Sequence, residues 1–95
     1  MNKMKTIIYI PNTFTPNDDG LNDVFLVYGT GINKFEMSIF DRWGQKLFGS
    51  KDQLKGWDGF FKNELCKSDV YVYVVTYTSI DGKTHTKIGH VTLMK

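Results

Sequence analysis

The sequence predicts an all-β domain, and three observations support that class. Seven Phe, five Tyr and two Trp, with seven Val, seven Ile and nine Thr, supply many strand formers, whereas Ala, the best helix former, is absent. Short apolar runs recur roughly every 8–12 residues between Gly, Asn and Asp turns, which is typical of a β-sandwich. The length of 95 residues fits a single domain.

The first part of the chain predicts two strands separated by a long loop. Residues 1–6 are a lead-in that includes the start of the first strand. The apolar run over residues 6–10 forms that strand and ends at Pro11, so it is far too short for a membrane span or a signal-peptide apolar region. Residues 11–22 are polar and predict the loop, and residues 23–28 predict the second strand.

The rest of the chain predicts five further strands, at residues 35–40, 46–48, near Phe60, at 70–79 and at 84–94. Residues 35–40 alternate apolar and polar side chains, which is typical of a strand with one buried face. Residues 70–79 are apolar on both faces, which predicts a strand in the middle of a sheet. Ile80-Asp81-Gly82-Lys83 predicts a hairpin, because Asp-Gly suits a type I′ turn.

The predicted core uses one face of each long strand. We expect the tyrosine face of residues 70–79 to point inward in preference to its valine face, because the larger aromatic area fills a small core better. The inward set is Phe35, Met37, Ile39, Tyr71, Tyr73 and Val75, and the outward set is Val70, Val72 and Val74.

Charge and motif content argue against several function classes. The formal net charge is only +2, and the lysines are spread from Lys3 to Lys95, so no basic patch for nucleic acid is predicted. A single cysteine, Cys66, excludes an internal disulfide and a CxxC metal site. His85 and His90 lie at an odd separation on one strand, so they point to opposite faces and cannot share a metal ion. No phosphate-binding Gly loop or nucleophile elbow is present, and we predict that the chain is not an enzyme.

The loop around Gly20 has two interpretations. Counting back from Gly20 places Asp19 and Asn17 at alternating positions of a calcium loop, and Asp23 supplies a further oxygen ligand. The charged first ligand and the bidentate Glu of such a loop are missing. The favoured alternative is a self-bonded loop, in which Asn and Asp side chains accept backbone N–H groups in Asx-turns. No other cofactor is predicted.

Trp43 and Trp57 each lie beside turn glycines and also allow two uses. An exposed pair of indoles can stack on sugar rings or bases. Alternatively, each indole folds over an end of the sandwich and closes its core. In a domain with so small a core we favour the second use.

Four motifs occur in the order and spacing of a known family. They are Ile10-Pro11-Asn12-Thr13-Phe14-Thr15-Pro16-Asn17 with Asp19-Gly20-Leu21-Asn22-Asp23-Val24-Phe25, then Phe40-Asp41-Arg42-Trp43-Gly44, then Gly56-Trp57-Asp58-Gly59, and finally Val70-Tyr71-Val72-Tyr73-Val74 with Gly89-His90-Val91-Thr92-Leu93. Over residues 7–95 the chain resembles the gliding-motility-associated C-terminal domain, the type B sorting domain of the type IX secretion system of Bacteroidota. Asp18 and Asp69 stand where that family usually has Gly.

The resemblance implies an immunoglobulin-like β-sandwich of about seven antiparallel strands, with residues 7–95 as the sorting domain. It implies a non-catalytic module that directs a large parent protein through the periplasm to the cell surface or medium. The implied partners are the translocon or its outer-membrane partner subunits; nucleic acid binding and membrane insertion are not expected, and the isolated domain is expected to be a monomer. The residues with a structural role in these motifs are Phe14, Pro16, Gly20, Arg42, Trp43, Gly44, Trp57, Asp58, Gly59, Tyr71 and Tyr73.

The partner is predicted to meet the end of the sandwich that carries the Asn17-to-Asp23 loop, or the edge of the last strand from Lys87 to Lys95. A terminal strand leaves unpaired N–H and C=O groups that a partner strand can bond. The residues expected to bind are Asn17, Asp19, Asn22, Asp23, Lys87, Val91 and Leu93. The competing hypothesis is an adhesion or carbohydrate-binding module that uses Trp43 and Trp57 as platforms.

Overall fold

A computed structural model of the chain describes residues 5–20 and 22–95, so Leu21 and the first four residues of the predicted lead-in lie outside the described residues. The described chain is all-β, as predicted. Its strands are β1 (Ile7–Tyr9), β2 (Thr13–Phe14), β3 (Tyr28–Thr30), β4 (Ile32–Phe40), β5 (Lys46–Ser50), β6 (Phe60–Phe61), β7 (Glu64–Leu65), β8 (Asp69–Ser79) and β9 (Thr84–Leu93).

The main sheet has five strands in the order β2-β9-β8-β4-β5. The prediction of a central strand over residues 70–79 is confirmed, because β8 pairs with β9 on one side and β4 on the other. A small sheet of β1 and β3 and a short β6–β7 hairpin complete the strand pairing among the described residues. This arrangement is consistent with an immunoglobulin-like sandwich.

Strand number and direction differ from the prediction of about seven antiparallel strands. Nine strands form in the described residues, and β2 pairs with β9 in parallel, with Thr13 opposite Thr92 and Phe14 opposite Leu93. The loop predicted over residues 11–22 therefore contains a strand. Pro11 separates β1 from β2 and has no N–H to donate, so the chain leaves one sheet there and joins the other.

The predicted strand over residues 23–28 is wrong in its extent. Within that stretch Phe25 forms an isolated antiparallel bridge to Trp57, and Tyr28, the last residue, begins β3 and pairs with Tyr9. The bridge is closed by the Phe25 N–H to the Trp57 carbonyl at 2.8 Å and the Trp57 N–H to the Phe25 carbonyl at 3.0 Å. Trp57 lies in a turn and not in a strand, so the bridge does not extend into a ladder.

The hairpin between β8 and β9 forms as predicted, but its turn is not type I′. A type I′ turn needs positive φ at both central residues, whereas Gly82 has φ +85° and Asp81 does not have a positive φ. The Ser79 N–H donates to the Lys83 carbonyl at 2.9 Å, which closes a three-residue loop with Gly in the left-handed position. The β4–β5 hairpin is built in the same way, with Gly44 at φ +85°.

The predicted inward face of the long strands is confirmed. Met37, Ile39 and Val75 are essentially inaccessible, whereas Val70, on the opposite face, is 43% exposed. Phe35 and Tyr73 also lie on the inward face but are only half-buried. The buried apolar core consists of Phe14, Phe25, Val27, Met37, Ile39, Trp57, Tyr71, Val75, Tyr77, Val91 and Leu93.

Candidate recognition surface

The Asn17-to-Asp23 loop is organised by the carboxylate of Asp23. Its Oδ1 accepts the N–H groups of Asn17 at 3.1 Å and Asp18 at 2.9 Å, and its Oδ2 accepts the Gly20 N–H at 2.7 Å. Asp18 has φ 62°, so the aspartate that stands where the resembled family often has Gly adopts the left-handed conformation. One carboxylate therefore holds three backbone donors in a tight loop.

These bonds match the Asx-type interpretation of the loop. The Asn17 side-chain oxygen accepts the Asp19 N–H at 3.2 Å, in addition to the three donors on Asp23. Asn17, Asp19 and Asn22 are exposed and Asp23 is half-buried, so four predicted binding residues are brought together at the surface. A calcium ion at Asn17, Asp19 and Asp23 stays a prediction. In the described part of the chain, no three His, Cys, Asp or Glu side chains group as metal ligands.

Trp57 closes the core, as favoured from the sequence. Its side chain is fully buried, and its Nε1–H donates to the Phe60 carbonyl at 3.0 Å. The indole packs 5.4 Å from the ring centroid of Phe14 and edge-on to Tyr71 at 5.1 Å. The Asp58 carboxylate fixes the following turn by accepting the Phe60 N–H at 2.9 Å.

Gly59 in the same turn needs to lack a side chain. It is buried with φ +87°, and a Cβ built there would lie 3.1 Å from Pro16 and 3.2 Å from both Leu65 and Leu93. Pro16 and Gly59 thus bring the first loop against the Trp57 turn. Five of the residues predicted to have a structural role lie in this turn or against it: Phe14, Pro16, Trp57, Asp58 and Gly59.

The interpretation of Trp43 as a core lid is wrong. Its side chain is 82% exposed at the tip of the β4–β5 hairpin. The tip itself is well ordered by hydrogen bonds: Asp41 Oδ1 accepts the N–H groups of Trp43 and Gln45, each at 2.9 Å, and the Gly44 N–H donates to the Asp41 carbonyl at 3.1 Å. In this loop the residue before the left-handed glycine points its side chain into solvent. With Trp57 buried, a paired indole platform is not available.

Arg42 and Asp69 join the hairpin tip to the start of β8. The Arg42 guanidinium lies 5.9 Å from the Trp43 ring centroid and 3.9 Å from the Asp69 carboxylate, which Lys67 also approaches at 3.7 Å. The backbone N–H of Val70, together with these two cations, lowers the pKa of Asp69. Both cations are largely exposed, so the pairs contribute little to stability.

Half-buried Cys66 lies beside Tyr71, which belongs to the buried core. Burial raises the pKa of the Cys66 thiol, which opposes formation of the nucleophilic thiolate. Burial, with Cys66 and Asp69 as smaller causes, raises the pKa of Tyr71 to about 12. The Tyr71 hydroxyl donates to the Lys67 carbonyl at 2.7 Å, so its polar end is satisfied inside the core.

Ser79, Asp81 and His85 meet at the β8–β9 turn but do not form a catalytic triad. Ser79 Oγ donates to Asp81 Oδ1 and lies 3.2 Å from His85 Nε2, so the serine sits between the carboxylate and the imidazole. In a triad the imidazole sits between the other two groups. His85 stacks on Tyr77 at 5.1 Å, while His90 is on the opposite face of β9, as the odd separation predicts.

The edge predicted from Lys87 to Lys95 is partly covered. The Thr92 N–H donates to the Asn12 carbonyl at 2.9 Å and the Met94 N–H to the Phe14 carbonyl at 3.0 Å, so β2 pairs with the end of β9. Val91 and Leu93 are fully buried and do not present side chains to a partner. Lys87 is exposed beside the part of the edge that β2 does not reach. No local sequence pattern predicts this pairing, because residues 11–22 predict a polar loop.

Comparison with known protein families assigns this domain to one family. The model of the CHU_C type IX secretion signal domain matches residues 8–93, which extend from β1 to the end of β9. The chain belongs to the CHU_C family. No curated protein matches the chain.

Membership in the CHU_C family makes the chain a secretion-targeting module. The family is one of sorting domains and is not a catalytic family, and its signal implies export to the cell surface or medium. Recognition by the secretion machinery follows from the same assignment. Within the described residues there is no helix with the length and apolarity to cross a membrane.

Proposed function

We propose that this CHU_C domain directs a larger parent protein through the type IX secretion system to the cell surface or medium, after transit through the periplasm. It acts by being bound, as a monomer, by the translocon or its outer-membrane partner subunits. The observation that carries the proposal is the family match over residues 8–93, which reaches from β1 to the end of β9.

The surface of the domain supports a role in recognition. The Asn17-to-Asp23 loop follows β2 directly, and β2 lies beside the end of β9, so the loop and this end of the main sheet are neighbours. Among its described residues the loop carries four exposed polar ones, Asn17, Asp18, Asp19 and Asn22, and the Asp23 carboxylate accepts three of its backbone N–H groups. A fixed polar loop loses little conformational entropy on binding, which favours recognition.

A reporter fusion tests the proposal. The full 95-residue chain is fused to the C-terminus of a periplasm-directed fluorescent protein and expressed in cells with a type IX system and in matched cells without one. We expect reporter fluorescence in the medium or at the surface of the first cells, and periplasmic retention in the second. Retention in both, with the fused domain shown to be folded, would contradict the proposed function.

The adhesion or carbohydrate-binding alternative now depends on one exposed indole. Trp43 is 82% exposed, but Trp57 is fully buried. Deleting the domain from its parent separates the two functions: loss of a sorting signal leaves the parent in the periplasm, whereas loss of an adhesin leaves it exported but unable to adhere.

A further inference from the structure

The N-terminal part of β9 has an open hydrogen-bonding edge. The Thr92 N–H and Met94 N–H point toward β2, away from β8. In an antiparallel ladder, alternate residues direct their N–H and C=O groups to the same side. The even-numbered residues Thr86, Ile88 and His90 therefore direct theirs away from β8, and in the described structure no strand pairs with them there.

This edge is unpaired because the chain that precedes β2 belongs to the other sheet. The chain beside β9 reaches it only at Asn12, because residues Ile7–Tyr9 are paired with β3 in the other sheet. Pro11 marks the point of departure. Because β2 runs parallel to β9, a continuation of β2 toward the N-terminus would have paired with residues 84–90. The chain turns to the other sheet instead, so this part of the β9 edge stays unpaired, and we call it the slot.

The open edge carries one exposed apolar side chain among basic residues. Ile88 is 71% exposed on the outer face, opposite Val74. Lys87 is the only lysine of β9, and the segment Lys83–Lys95 contains three Lys, two His and no acidic residue. A second copy of the chain would bring an equally basic strand to this edge, so self-pairing is disfavoured.

We propose that the Thr84–His90 edge receives an extended segment of the secretion machinery by strand addition. This inference rests on the proposed function and names the contact that performs it. Strand addition pairs the free groups of Thr86, Ile88 and His90, which are spaced by about 7 Å, with alternate residues of the incoming segment. The segment carries an apolar side chain against Ile88 and a carboxylate beside Lys87.

Amide hydrogen exchange of the free domain tests whether the edge is open. The amides of Thr86 and Ile88 should exchange much faster than those of Lys87 and Gly89, which point toward β8. Equal protection of Ile88 and Lys87 would show that the edge is closed in solution and would overturn the inference.

A proline substitution tests whether the edge is used. Ile88→Pro removes one outward N–H and adds a ring at the edge while leaving the bonds to β8, and proline is tolerated at such edge positions. Ile88→Val is the matched control, because it keeps the N–H, the β-branched shape and the apolar surface. In the reporter fusion we expect Ile88→Pro to lower export roughly tenfold or more, since a lost bond and a steric block weaken pairing, and Ile88→Val to remain near wild type.

A charge reversal gives an independent test if the proline variant does not fold. Lys87→Glu places an acid against the expected carboxylate, and Lys51→Glu, at another exposed lysine outside the edge, is its control. We expect only Lys87→Glu to reduce export. Wild-type export of folded Ile88→Pro, or of Lys87→Glu where the proline variant is unfolded, overturns the edge as the binding site. Failure of the unsubstituted fusion to be exported instead contradicts the proposed function itself.

Discussion

At the scale of single residues, Trp57 and Trp43 have similar sequence surroundings but opposite environments. Trp57 is fully buried against Phe14 and Tyr71, whereas Trp43 is 82% exposed. Trp57→Ala should lower the free energy of unfolding by about 3–5 kcal/mol, because it leaves a cavity and removes a satisfied indole. Trp43→Ala should change it by about 0.5 kcal/mol or less. Urea unfolding followed by circular dichroism measures both values; similar losses in the two variants would contradict this assignment.

Ionisation of Tyr71 is expected to destabilise the domain at alkaline pH. Burial raises its pKa to about 12 in the folded protein, from a reference value of 10.0. Folding therefore favours the neutral phenol, so this contribution is complete below pH 10 and is lost as the pH rises toward 12. We expect the unfolding free energy to fall more steeply over this range in the wild type than in Tyr71→Phe, which cannot ionise. Parallel pH profiles for the two proteins would show that Tyr71 does not titrate in this way.

At the scale of an element, the Asn17-to-Asp23 loop depends on one carboxylate. Asp23→Ala removes the acceptor of the Asn17, Asp18 and Gly20 N–H groups, which then bond only to water. We expect a loss of about 1 kcal/mol, because these bonds are exposed and water replaces them in part. Asp23→Asn keeps one acceptor oxygen and should lie between Ala and the wild type. Thermal unfolding gives the order of the three proteins, and an unchanged Ala variant would contradict this role.

Calcium is tested in the same loop. The Asp23 oxygens already accept backbone donors, so an ion would have to share or displace them. We expect millimolar calcium to raise the unfolding free energy by on the order of 1 kcal/mol or less, as for a weak extracellular site of about 10⁻⁴–10⁻³ M. Thermal unfolding in calcium and in chelator measures the shift, with Asp23→Ala as the control. A much larger calcium-dependent rise in the unfolding temperature, abolished by Asp23→Ala, would show a specific calcium site and contradict this expectation.

Element-scale features differ in how well the sequence predicts them. Alternation in residues 35–40 and the choice of the tyrosine face of β8 are local patterns, and both predict the observed buried face. The pairing of β2 with β9 joins Thr13 to Thr92, which no local pattern specifies. Likewise, a turn glycine beside an indole does not distinguish Trp43 from Trp57. The difference arises from residues distant in sequence: the backbone of Phe25 pairs with Trp57, and the rings of Phe14 and Tyr71 pack against its indole.

At the scale of the whole molecule, β9 joins the first and last parts of the domain. It carries Val91 and Leu93 into the core and receives β2 through the N–H groups of Thr92 and Met94. Residues 94–95 contribute less, since Met94 is 53% exposed and Lys95 donates one bond to Ser68 at 3.0 Å. A truncation that enters β9 therefore alters folding as well as any recognition surface.

Two truncations separate these effects. Removing residues 91–95 deletes two buried side chains, each worth about 2–5 kcal/mol, and releases β2; a domain with a total stability of about 5–15 kcal/mol should then be largely unfolded. Removing residues 94–95 costs about 1–2 kcal/mol in hydrogen bonds and leaves the core and the Thr84–His90 edge intact, so that variant should fold and be exported. Urea unfolding and the reporter fusion measure both properties. If the shorter protein, lacking residues 91–95, still unfolded cooperatively with near wild-type stability, the role given to Val91 and Leu93 would be wrong, because their loss from a core this small cannot be absorbed by the remaining side chains.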